Sequence, residues 1–459
     1  MKIKMELYFL ILINLLTNIN SKIVCAADKY VPKFELNKLN KTSKENTTKR
    51  KTSSEDDYKS IRIYLSLDNI RKRIEGISAF TEFNIELLNK IFLYLNNTIS
   101  YVEKLIKVNR RTNAIIISEQ EQRNDLSISE VDETLISGVN ADLVLIPTYI
   151  FEGNEIYFEN YKRDEETYRV IISKLNIPLS YMNNALLTQV EAETILLHEI
   201  THILGFHYEH YQYFPGGINK VINKTIDKNG KNIYYIITPK VVELAKKYFN
   251  CDALFGLQLE NQENINNNIP SSHWESRILL GEYMNLELYS PEIVISDFTL
   301  ALLEDSGWYK VNYYTGGLMR FGKNRGCEFL NFNCLDENKE TKYKNEFFGI
   351  NDINNPSCSA GRLSRTYCLT KKYNNDNNIN NLFNGIGGMY ENADYCFTFY
   401  YEQEEENIQK YIGSCRRGKG EYGSNIEYKD INNNIIKINN SILESDLGEV
   451  YSDKSFCIL

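Results

Sequence analysis

The chain has 459 residues, 42% of them hydrophobic and 25% charged, which excludes a disordered chain and fits a globular protein of two or three domains. Its formal net charge of −9 argues against nucleic acid or an anionic membrane surface as a partner.

The chain opens with Lys2 and Lys4 before the apolar run Leu7–Leu16, too short to span a bilayer. With small residues near Ala26, residues 1–26 read as a secretory signal peptide, so the product is expected outside the cell or on its surface. Sequons at Asn40, Asn46, Asn96, Asn223 and Asn439 fit that route. Residues 27–57, rich in Lys, Thr, Ser and Asn, read as a pro-segment or linker. An N-terminal catalytic subdomain is expected over 58–206. Ile61–Leu67 alternates as a strand does, and Ser78–Lys107 has the apolar spacing of a long helix. Further strands are expected at Ala114–Ser118, Ala141–Tyr149 and Tyr168–Ser173. A β-α-β succession ahead of an apolar helix predicts an α+β fold, a sheet with helices packed on it.

That apolar helix, Ala192–Phe206, carries the chemistry. His198 and His202 lie four residues apart, one turn of helix, so both imidazoles share a face and can reach one Zn²⁺. Glu199 can lean over the open side of the metal as a general base. Four of the chain's five His fall within 198–210. Ile195, Leu196, Leu197, Ile200, Ile203 and Leu204 make the helix apolar nearly all round, so its His and Glu are expected to be buried and to need polar partners. A catalytic zinc wants a third protein ligand and one open position. The helix and Gly205 resemble the short metzincin pattern, which places a third His six residues beyond the second, at residue 208, but that residue is Tyr208. Either His207 adapts or the ligand comes from further along, where His273 is the natural candidate and Met284 could floor the site. His207 and His210 are otherwise expected to line a cleft or face solvent.

Residues 207–312 read as an insertion followed by the His273–Met284 segment. It has a loop at Phe214–Gly217, a helix over Pro239–Phe249, an Asn-rich loop at Asn261–Asn268 and an apolar helix over Phe298–Leu303. Residues 313–459 read as a Cys-rich, loop-rich C-terminal domain. Of nine Cys, signal cleavage near Ala26 would remove Cys25 and leave eight, an even number that implies disulfides in a secreted chain.

Several of these stretches together resemble the leishmanolysin family of zinc metalloproteases. They are Ala141–Ile146, His198–Phe206, Ser272–Met284 and Leu300–Tyr309, with a weaker match at Gly322–Leu330. The resemblance implies a metzincin-type catalytic domain with a twisted sheet, a long helix and a zinc-binding active-site helix, followed by the disulfide-rich domain. It implies one Zn²⁺ on His198, His202 and His273 across a long insertion, Met284 as the Met-turn and Glu199 as base. Polypeptides are the implied substrates. The family's pro-segment often caps the zinc with a Cys; residues 28–57 contain none, so Cys25 is the sole candidate, if the leader is cut before it. Membrane attachment and oligomeric state stay open. The competing expectation is a non-catalytic, zinc-containing surface or adhesion glycoprotein, with His207 or His210 as a fourth ligand.

Overall fold

A computed structural model describes Cys25, 57–70, 82–150, 156–178, 189–227, 230–261, 268–287, 293–313, 319–331 and 333–354. Beyond these it describes shorter stretches to 399 and four short strand pieces after 425. The elements are, in chain order, β1 (Tyr58–Ser60), β2 (Ile63–Leu65), α1 (Glu82–Leu105), β3 (Ile106–Asn109), β4 (Leu143–Ile150), β5 (Tyr157–Arg163), β6 (Val170–Pro178) and α2 (Gln189–Leu204). There follow β7 (Ile222–Ile226), β8 (Asn232–Ile236), α3 (Pro239–Phe249), β9 (Leu257–Gln258), α4 (Asp297–Asp305) and β10 (Tyr309–Val311). Two compact units result: 1–218 with 286–288 and 306–312, and the remainder.

The first unit is built on a four-stranded sheet in the order β2-β4-β6-β5. The first three strands are parallel and β5 is antiparallel to β6. Strand β4 reads Leu-Val-Leu-Ile over its first four positions, and all four are buried, as expected of a parallel strand covered on both faces. Helix α1 turns Leu88, Ile91, Leu95, Ile99 and Val102 inward at spacings of three and four. Helix α2 packs on α1 and on β5 and β6. A cluster of Ile115, Ile117, Leu126, Ile128, Leu135 and Val139 packs with Val144, Ile146 and Ile172 of the sheet. A second sheet, β1-β3-β10, is antiparallel throughout.

The sequence-based expectations need correction in places. The long helix stops at Leu105, and Ile106–Asn109 alternates buried and exposed as a strand instead of extending the helix to Lys107. Ala114–Ser118 joins no sheet: Ile115 bridges Val139 and the Ile117 N–H donates to the Leu135 carbonyl, so its backbone is satisfied by the short helix Glu133–Ser137 and the residues just after it. Strand β5 and the β7–β8 hairpin are additions; their polar, Asn- and Lys-containing sequences carry little period-two signal.

The second unit holds α3, which starts with Pro239 in its first turn, where a missing N–H costs nothing, and ends on Asn250 at φ 56°, a left-handed cap. Helix α4 packs on α3, and Phe249 stacks with both Phe298 and Phe329, ring centroids 6.1 Å apart in each pair. Disulfides join Cys251 to Cys327 and Cys334 to Cys396. Among the described residues beyond 356, strands pair only as two-stranded ribbons. The Asn-rich stretch 262–267 lies outside the described residues.

Candidate metal centre

Helix α2 is buried along its whole working length, from Ile195 through Leu204. Its apolar residues pull it into the sheet and α1, and His198, Glu199 and His202 go with it, at 3%, 1% and 0% exposure. Nε2 of His198 and Nε2 of His202 are 3.0 Å apart, so the one-turn spacing brings two ligand atoms to one point. The His202 tautomer follows from its other nitrogen. Nδ1 lies 2.8 Å from the Phe206 carbonyl, which only accepts, so Nδ1 carries the proton and Nε2 keeps its lone pair.

A third donor comes from Cys25, the one thiol the sequence offered as a cap. Sγ of Cys25 lies 3.3 Å from His202 Nε2. Cys25 is buried, and its N–H donates to the Leu286 carbonyl at 3.3 Å. The sulfur and the two imidazoles lie within 4.8 Å of one another. Two imidazole nitrogens and a thiol, dry and convergent, are the donor chemistry that zinc accepts, so the residues fit the ion.

Around them the first unit is closely held. Phe158 of β5 stacks on His202 at 5.8 Å and meets His207 edge-on at 5.2 Å. The Tyr309 hydroxyl donates to the Leu204 carbonyl at 2.9 Å, near the helix end. His207 and His210 are buried, at 2% and 0% exposure, against the expectation that they line a cleft or face solvent. Burial first, then the Arg163 charge, holds His210 well below the ordinary histidine range, so it is neutral.

The other two sequence candidates lie in the second unit. His273 is fully buried; its N–H donates to Ser271 Oγ at 3.2 Å and its carbonyl accepts from the Glu260 N–H at 3.0 Å. The next residue, Trp274, donates its N–H to the Met284 carbonyl at 3.0 Å, so the His273 and Met284 segments are tied directly. Glu282 organises this region. One carboxylate oxygen accepts from Ser296 Oγ at 2.8 Å and Thr299 Oγ1 at 2.7 Å; the other accepts from the Met284 N–H. Thr299 Oγ1 accepts in turn from Trp274 Nε1 at 2.8 Å. Burial raises the Glu282 pKa to about 7 even though Thr299, Ser296 and Met284 pull it down. Burial, and then the nearby Glu260, push Glu275 well above the carboxylate range.

Sequence reasoning assigned no role to Glu282 or Arg163, considered His210 only as a cleft-lining residue or a fourth ligand, and kept Cys25 only as the sole thiol that could cap a zinc if the leader were cut before it. The only signal for Glu282 was a lone acid in an otherwise apolar run; Arg163 gave none.

A family model described as leishmanolysin matches residues 80–458. A leishmanolysin-like peptidase of Caenorhabditis elegans is 30% identical over 269 residues, 46% of this chain and 40% of that protein. One from Drosophila pseudoobscura pseudoobscura is 28% identical over 275 residues, 48% of this chain and 39% of that protein. A ciliated left-right organizer metallopeptidase of Danio rerio is 32% identical over 142 residues, 30% of this chain and 22% of that protein. The chain thus spans well under half the length of these relatives. Among the described residues, no helix is long and apolar enough to cross a membrane.

Proposed function

Because this chain belongs to the leishmanolysin family, we propose that it is a zinc endopeptidase, secreted or held at the cell surface, that cleaves peptide bonds within proteins. The observation that carries this reading is one buried helix bringing two imidazole Nε2 atoms to 3.0 Å with a buried glutamate between them in sequence. His198, His202 and His273 would hold the ion; His273 is the one histidine outside 198–210 and sits buried on a backbone-pinned segment. Met284, tied to Trp274, would underlie it as the Met-turn.

The metal's chemical contribution is Lewis acidity toward a water and a carbonyl oxygen. Glu199 takes the proton from the attacking water and passes it to the leaving amine. The substrate is an extended polypeptide. Strand β5 ends the sheet order, so its outer row of N–H and C=O groups is the edge for strand addition, with Phe158 on that strand stacked on His202. A chain that keeps Cys25 carries a thiol against the imidazoles, and we read it as the latent form, opened when the segment bearing Cys25 is removed.

The adhesion-glycoprotein reading with a closed, four-ligand zinc is not favoured. Both His210 nitrogens already have other partners, Arg163 and the His202 carbonyl.

Casein hydrolysis by the purified full-length chain tests the proposal. Cys25→Ser should cleave without processing; Cys25→Ser/Glu199→Ala, or Cys25→Ser with a zinc chelator, should not. General-base removal costs about 10²–10⁴-fold. Undiminished cleavage by the Glu199→Ala variant, or in chelator, would sink the assignment.

A further inference from the structure

The chemistry above leaves His210 unused, although its ring is fully buried between two polar partners. Its Nδ1 lies 2.9 Å from Nη1 of Arg163, and its Nε2 lies 3.0 Å from the backbone carbonyl oxygen of His202. A guanidinium only donates and a carbonyl only accepts. Nδ1 therefore accepts, the ring proton is on Nε2, and Nε2–H donates to His202. One placement of the proton satisfies both contacts, and Arg163 and the His202 carbonyl each favour it. Without Arg163 the ring could take the other tautomer, which would aim a lone pair at the carbonyl oxygen.

Arg163 is itself fixed. It is the last residue of β5, and Nη1 also donates to the Tyr168 carbonyl at 3.1 Å. Its guanidinium lies 4.6 Å from the centre of the Tyr213 ring, and that ring stacks on Tyr168 at 5.2 Å. Trp308 meets the His210 ring edge-on at 6.0 Å and donates Nε1–H to the Thr167 carbonyl at 2.8 Å.

The carbonyl that His210 holds lies in the last turn of α2, where carbonyls run out of helical N–H partners. The Gly205 N–H is divided between Thr201 O at 3.1 Å and His202 O at 3.2 Å. His202 is thus gripped twice: its ring by the Phe206 carbonyl and its peptide by His210.

We propose that Arg163 and His210 are a positioning pair that fixes the second metal-binding imidazole, His202, by holding its backbone carbonyl through an enforced histidine tautomer. This rests on the reading of His202 as a zinc ligand. Neither residue touches the reacting atoms, so neither is catalytic. The pair also couples the end of the substrate-edge strand to the end of the metal helix within one unit.

The test uses the full-length chain as wild type, His210→Phe, His210→Gln and Arg163→Met. Zinc release to the chromogenic chelator 4-(2-pyridylazo)resorcinol is measured, with the thermal midpoint of each metal-free protein and the ring ¹⁵N spectrum of the histidines. A Gln side chain can accept from Arg163 and donate to His202, so it should stay close to wild type. His210→Phe and Arg163→Met should lose zinc affinity by about 10–100-fold, the usual cost of removing a ligand's supporting partner. In Arg163→Met the His210 signals should move from a single Nε2–H form to a tautomer mixture. Unchanged zinc release in both Phe and Met variants would overturn the pair. So would His210→Gln failing as badly as His210→Phe, since that marks a packing role alone. A wild-type chain that holds no zinc overturns the underlying peptidase reading, a different result from a zinc-holding wild type whose variants do not differ.

Discussion

At the scale of single residues, the candidate metal site is a matter of which nitrogen faces which atom. His207 and His273 are both buried, so burial does not separate ligand from bystander. If His273 is the third ligand, His273→Ala loses zinc while His207→Ala keeps it; metal content of the two purified variants checks this, and the reverse result would reassign the ligand. Glu282 makes a second prediction. Its pKa is raised from 4.5 to about 7 in the folded chain, so between those values the folded state holds a proton that the unfolded state has lost. Its stabilising contribution is complete below pH about 4.5 and is lost as pH rises through about 7. The size is on the order of 3 kcal/mol, since one pKa unit is about 1.4 kcal/mol. Glu282→Gln should flatten the fall in stability between pH 5 and 8 in denaturant titrations; an unchanged slope would show that the carboxyl is not the source. The meeting of His198 and His202 on one face of α2, and the burial of Glu199 on that helix, were legible because turn spacing and the apolar run are written in the local sequence. His210 was not legible as a buried residue, and its partner Arg163 left no trace, because that contact joins residues 47 apart in sequence.

At the scale of elements, periodicity was a good guide where one face is buried and a poor one where pairing decides. The helix expected over Pro239–Phe249 has those bounds in the structure, and α2 and β4 lie within two to three residues of expectation at each end. The end of α1 and the loop-paired segment at Ile115 were missed because their partners, β1 and Val139, are remote or irregular. Helix α2 is held by apolar burial, so its core side chains should be costly to remove. Leu196 and Ile200 are both fully buried. Leu196→Ala or Ile200→Ala should each cost about 2–5 kcal/mol and lower the thermal midpoint. A loss below about 1 kcal/mol, the range of a tolerated volume-conserving swap, would mean the helix is not core-anchored.

At the scale of the whole molecule, cross-links take over where composition gives little periodic core. The eight Cys beyond Cys25 implied bridges, but pairing cannot be read from sequence; among the described residues the structure supplies two pairs. Cys251–Cys327 closes a separation of 76 residues. By loop-closure entropy it should contribute about 4 kcal/mol. Cys251→Ser/Cys327→Ser should therefore lower the calorimetric transition of the second unit. A transition unmoved by the double substitution would assign that unit's stability to its aromatic core alone.

Strand β10 has a consequence for how the protein is born. The first unit includes 306–312, far downstream of its main body, which ends at 218. Strand β3 is the middle of its sheet, with β1 on one side and β10 on the other. While a ribosome is still making the intervening chain, on the order of ten seconds at usual elongation rates, β3 can pair with β1 alone. One flank stays bare, with its row of N–H and C=O groups open to another strand. A newborn chain stalled before Val311 would be exposed to edge-to-edge association with its polysome neighbours, and release from that hazard coincides with the arrival of β10.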